Sequence, residues 1–246
     1  MPWMTTLRAT QLSYFMLAVT PATVGADSVR IFAMRQAGAA WAEGIAIVIA
    51  DRLYGMAAIL ILGVVGLPFI WAHAPELLLP VAAPIALLAL AMLAGIVALR
   101  IKMPRAWLRI GPARALARLS RAARLATGSF RLVSTALLLS LSIMIASAAA
   151  FWIITVAAGV QGGLVMVLSV FPGMLLLGFV PISVNGWGLR EVSLVAMMAP
   201  FAIPSGAALA TSVAYGLAVF VSSLLGLVFW WLLRGREIRK PREEPA

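Results

Sequence analysis

Five acidic residues precede the C-terminal tail: Asp27, Glu43, Asp51, Glu76 and Glu191. Three of them stand close to an arginine. Asp27 precedes Arg30 by three residues, Asp51 adjoins Arg52, and Glu191 adjoins Arg190. With Ser183 and Asn185 just ahead of the last pair, these are the residue types that bind a charged polar group. A planar guanidinium suits bidentate recognition of phosphate. The carboxylates would neutralise the arginines in an empty site or hold a cationic group. Asp51 and Arg52, as sequence neighbours on a helix, do not face each other and should find partners elsewhere. The expected arrangement is a buried network drawn from both polar stretches and the Asp51–Arg52 segment. The competing reading is an ion-pair network that only fixes helix packing; losing one partner of a buried pair costs about 3–5 kcal/mol. No other chemistry is signalled. The chain has no cysteine, no metal-ligand cluster, no phosphate-binding Gly-Lys-Ser/Thr loop and no Ser/His/Asp set. No cofactor, metal or catalytic residue is expected, and the single histidine, His73, reads as a loop or interface residue.

Two breaks in apolar sequence must position these groups. In the first, Pro21 is followed by Thr23, Val24, Gly25 and Asp27, with Arg30 nine residues after the proline. In the second, Pro181 is followed by Ser183, Val184, Asn185, Gly186, Trp187 and Gly188, with Arg190 again nine residues on. Broken backbone is tolerated at membrane depth only where protein or a water-filled cavity covers it. Ionisable groups there are costly and mark a functional site by default. The starts of short helices after Gly25 and Gly188 would add backbone donors and the positive end of the helix dipole.

A membrane setting follows from composition: 63% hydrophobic residues, 11% charged and a mean hydropathy of +1.06. A soluble domain needs far more polar surface. The fold class is therefore all-α, a polytopic transmembrane helix bundle, with stretches long enough to cross at 44–71, 76–99, 132–158 and 205–233. The net charge of +11 does not indicate nucleic-acid binding, because most of it flanks these spans. Nine basic residues and no acid lie from Arg100 to Arg131, and five more basic residues lie from Arg234 to Arg242. The positive-inside rule makes 100–131 a cytoplasmic loop and 234–246 a cytoplasmic tail. Arg114, Arg118 and Arg121 fall at helical spacing within that loop, as on a helix lying against anionic headgroups or in a loop that only sets topology. Segments 7–35 and 163–201 are then left as re-entrant or broken hairpins, the first from the inner side and the second from the outer. Each is followed by a full span, the pattern of an inverted-topology repeat. Trp187 reads as an interfacial anchor, Trp230 and Trp231 as an interface belt, and the small residues Ser142, Ala146 and Ala150 as a helix-packing stripe.

Pro21…Gly25…Asp27…Arg30, the Asp51-Arg52-Leu53 run, and Pro181-Ile182-Ser183…Gly186-Trp187-Gly188…Arg190-Glu191 resemble the lysylphosphatidylglycerol synthase transmembrane region, a flippase-like membrane family. The resemblance runs through nearly the whole chain, and Ser-x-x-Gly-x-Gly-x-Arg-Glu carries most of it. Family members usually have about two more transmembrane helices ahead of the first motif, so the resemblance implies either a start assigned too late or a shortened member, with part of the helix bundle missing in both cases. It does not imply aminoacyl transfer, since that activity belongs to a soluble domain and only a basic tail follows Leu233. It implies transbilayer movement or handling of a polar-headed lipid in the cell membrane, with membrane lipids as partners. Two alternatives stay open. One is a membrane-embedded transferase with Asp27, Asp51 or Glu191 as general base. The other is a non-catalytic subunit that docks a cytoplasmic lipid-modifying enzyme through the 100–131 loop.

Overall fold

The computed structural model describes residues 3–20, 24–73, 75–100, 120, 128–177 and 186–234. All regular structure among them is helical. α1 (Trp3–Val19) and α2 (Val24–Gln36) form a first hairpin, followed by the long α3 (Trp41–His73). A 3₁₀ turn, Pro75–Leu77, leads into α4 (Leu78–Arg100), and α5 (Phe130–Ala157) follows the basic segment. α6 (Gly163–Leu177) and α7 (Leu189–Met198) form a second short pair, and α8 (Ser205–Arg234) closes the described fold. Four helices, α3, α4, α5 and α8, are long and apolar enough to cross a membrane. The others are too short: at 1.5 Å per residue, α6 reaches only about 22 Å against a hydrocarbon thickness of about 30 Å.

The two hairpins pack reciprocally. α1 lies along α8, and α6 lies along α3, so the first arm of each hairpin rests on the long helix that follows the other hairpin. The second arms, α2 and α7, rest on the long helices that follow them, α3 and α8. Glycines permit both long-range contacts. A Cβ at Gly226 of α8 would lie 2.8 Å from the Gln11 carbonyl oxygen of α1. A Cβ at Gly66 of α3 would lie 3.1 Å from Leu168 Cβ and 3.2 Å from the Leu168 carbonyl oxygen on α6. That carbonyl is the one Pro172 leaves without its helical N–H donor, so α3 approaches α6 where its ladder is interrupted.

The core centres on α6, which is apolar on nearly all faces and buried on most of them. Met166, Val167, Leu168, Val170, Phe171 and Met174 are buried, packed with Leu194 and Met198 of α7. Phe151 of α5, Phe171 and Tyr215 of α8 form an aromatic cluster with ring centroids 5.5–6.3 Å apart. The packing face of α5 is Ala148, Phe151 and Thr155. This corrects the expectation for Ser142, Ala146 and Ala150, which are exposed. The Ser142 hydroxyl donates to the Leu138 carbonyl of its own helix.

Candidate functional site

The charged residues separate into two groups. The first joins α2 to α3 by crossed ion pairs. Arg30 Nη1 donates to Asp51 Oδ2 at 2.6 Å. Arg52 donates to Asp27 Oδ2 through Nη2 at 2.5 Å and Nε at 3.2 Å. Asp27 and Arg30 share a face because they are one helical turn apart on α2. Asp51 and Arg52, as neighbours on α3, diverge, and each meets the α2 residue of opposite charge. Asp27 sits in the first turn of α2, where a carboxylate favours the helix dipole. The hairpin is tight here, since a Cβ at Gly25 would collide with the Thr20 side chain.

The Arg30–Asp51 pair stands in the wall of a cavity of about 650 Å³ between α1, α2 and α3. Thr6 and Thr10 of α1, Met34 of α2 and Val48 of α3 share that wall, and the α2–α3 connection at Ala37 and Ala39 rims it. Asp51 keeps 59% of its side-chain surface accessible and Arg30 28%. A pair this open holds together by only about 0.2–1 kcal/mol.

The second group is closed. Arg190 and Glu191 keep only 8% and 14% of their side-chain surfaces accessible. Arg190 Nη2 donates to Glu191 Oε1 at 3.1 Å, and Ser212 Oγ of α8 donates to the same oxygen at 3.0 Å. Arg190 Nε donates to Ser212 Oγ at 3.3 Å. The guanidinium stacks over the Trp187 ring, 4.9 Å from its centroid, and lies against Gly216, where any Cβ would collide with it. The other carboxylate oxygen of Glu191 accepts from the Gly188 N–H. The start of α7, expected to offer donors to a ligand, is thus occupied by the chain's own carboxylate. Gly186 and Gly188 have φ of 79° and 82°, a left-handed region in which side chains are strained.

Among the described residues no hydrogen bond or ion pair links the two groups, so the single network expected from sequence is two. Ser183 and Asn185 lie outside the described residues, as do Pro21, Pro181, nearly all of the 100–131 loop and the tail beyond Arg234. Trp187, expected as an interfacial anchor, is half-buried with Arg190 on its face. Ser212 and Gly216 were missed. Nothing in the local sequence marked Ser212, because its contact with Arg190 is made between two helices.

The family model for the lysylphosphatidylglycerol synthase TM region matches residues 1–226, from the first hairpin through most of α8. The chain belongs to this family. No curated protein and no solved structure matches it. As a member of the lysylphosphatidylglycerol synthase TM-region family, with four apolar helices of spanning length, it is a multi-pass integral membrane protein tied to lipid handling. Among the described residues of this family member, no group of three or more His, Cys, Asp or Glu side chains could hold a metal ion.

Proposed function

We propose that this protein binds the polar head of a membrane lipid at the Arg30–Asp51 pair and carries it across the cytoplasmic membrane in a flippase-like manner. One observation carries the reading: a charge pair of opposite signs, its carboxylate 59% accessible, in the wall of an otherwise mainly apolar cavity. Such charges do not face lipid tails, so the cavity holds water or a headgroup. Depth supports the same view. From Leu53 to His73, α3 alone is long enough to cross about 30 Å of hydrocarbon. Asp51 and Arg52 would then stand where the headgroup layer meets the hydrocarbon, at the mouth a lipid would enter. The hairpins are read as re-entrant from opposite sides, with the basic loop 100–131 and the tail cytoplasmic. Their reciprocal packing is what an inverted repeat needs for alternating access. Asp27 and Arg52 would hold the site's frame, and Arg190–Glu191 would hold the second hairpin on α8.

The test is reconstitution into liposomes with acyl-labelled phospholipids, following transbilayer movement. Wild-type protein is expected to accelerate it over protein-free vesicles. The charge-neutral double variant Arg30→Ala/Asp51→Ala is expected to abolish most of the acceleration while remaining monodisperse. Full activity in a folded double variant would exclude this pair as the headgroup site.

A further inference from the structure

We infer that the headgroup taken at the α1–α2–α3 cavity is zwitterionic, carrying an ammonium group as well as a phosphate. The inference rests on the headgroup-binding reading above and narrows it to one charge class. Among the residues lining the cavity, the charged ones are Arg30 and Asp51, one of each sign. They are already paired at 2.6 Å, so a ligand enters only by taking over one or both partners. A phosphate that displaces Asp51 from Arg30 leaves the carboxylate uncompensated beside mainly apolar walls. A cationic head that displaces Arg30 from Asp51 strands the guanidinium in the same way. A headgroup with both charges replaces each lost partner, its phosphate on Arg30 and its ammonium on Asp51, and the site stays neutral throughout.

Four further charges on α2 and α3 already have partners. Asp27 and Arg52 compensate each other, with two guanidinium nitrogens on one carboxylate oxygen and both side chains about three-quarters covered. Arg35, toward the cavity rim, donates to the Ala39 carbonyl and lies over the Trp41 ring. Glu43 accepts from the Ala40 N–H. Among the residues that line the cavity the charges are therefore one cation and one anion, which is the composition of a zwitterion. Short separation matters too. Guanidinium and carboxylate in direct contact demand that the two ligand charges lie only a few bonds apart, as in an amino-alcohol phosphodiester.

The experiment uses the full chain in nanodiscs and titrates it with acyl-labelled phosphatidylethanolamine and with phosphatidylglycerol of the same chains. The zwitterionic lipid is expected to bind at least about tenfold more tightly. In Asp51→Asn, which leaves Arg30 alone in the cavity, the preference is expected to invert toward phosphatidylglycerol. In Arg30→Gln it is expected to move toward a lipid with a net positive head. A merely structural role for the pair would weaken all lipids alike and leave the ratios unchanged. Equal or tighter binding of phosphatidylglycerol by the wild type overturns the inference, as does an unchanged ratio in a folded Asp51→Asn variant. If a variant does not fold, the wild-type ratio alone decides. Binding of neither lipid, by contrast, removes the headgroup-binding reading itself.

Discussion

At the scale of single residues, two arginine–carboxylate pairs of similar chemistry differ in what surrounds them. Arg30–Asp51 leaves its carboxylate accessible in a cavity wall, whereas Arg190–Glu191 is enclosed by Ser212, Trp187 and Gly216. Burial reverses the magnitude: breaking the open pair costs under about 1 kcal/mol, breaking the enclosed one about 3–5 kcal/mol. Arg190→Ala should therefore lower the thermal unfolding midpoint in detergent far more than Arg30→Ala does. Arg190→Lys should rescue little, because an ammonium cannot reach Ser212 and Glu191 through a fork or stack flat between Trp187 and Gly216. Gly216→Ala should destabilise through the same contact. The effects of Gly216→Ala and Arg190→Ala should then be non-additive in a double-mutant cycle of unfolding midpoints. Additive losses would mean that the guanidinium does not rest on Gly216.

Among the elements, α6 has the most demanding position. It is short, apolar on nearly every face, lacks one ladder donor at Pro172 and packs against α3, α5 and α7. Its contact with α3 depends on Gly66, which has no side chain to hold the helices apart. Gly66→Ala should cost about 1–3 kcal/mol by overpacking, read as a lower unfolding midpoint. Gly95→Ala on α4, where an added Cβ meets nothing within 4 Å, should leave that midpoint unchanged or slightly raise it. Equal responses at the two glycines would contradict the close approach of α3 to Leu168.

The whole molecule is two hairpin-plus-long-helix units that exchange their first arms, with α4 and α5 between them. The units differ in what they hold: charges beside an open cavity in the first, hydroxyls and a sealed latch in the second. The proposed topology sets the α2–α3 connection and the α5–α6 connection on opposite sides. The chain has no cysteine, so single thiols report sidedness directly. Ala40→Cys should react with an impermeant thiol reagent only from the cytoplasmic side, and Gln161→Cys only from the opposite side. Labelling of both from one side would rule out an inverted arrangement.

Hydropathy and charge spacing determined the helical class, the four long apolar helices and the two polar breaks, because each depends on local composition. They also showed that Asp51 and Arg52 must look away from each other, which is a property of one helix. Local sequence could not show which helix each would meet. The assignment of α1 to α8 and of α6 to α3 depends on glycines at long-range contacts. So does the division of one anticipated network into an open pair and a closed latch. Ser142, Ala146 and Ala150 illustrate the same limit: their spacing marks a face, but the packing of α5 through Ala148, Phe151 and Thr155 turned that face outward. Only the tertiary arrangement decides which charges are enclosed, because enclosure depends on which helices meet around them.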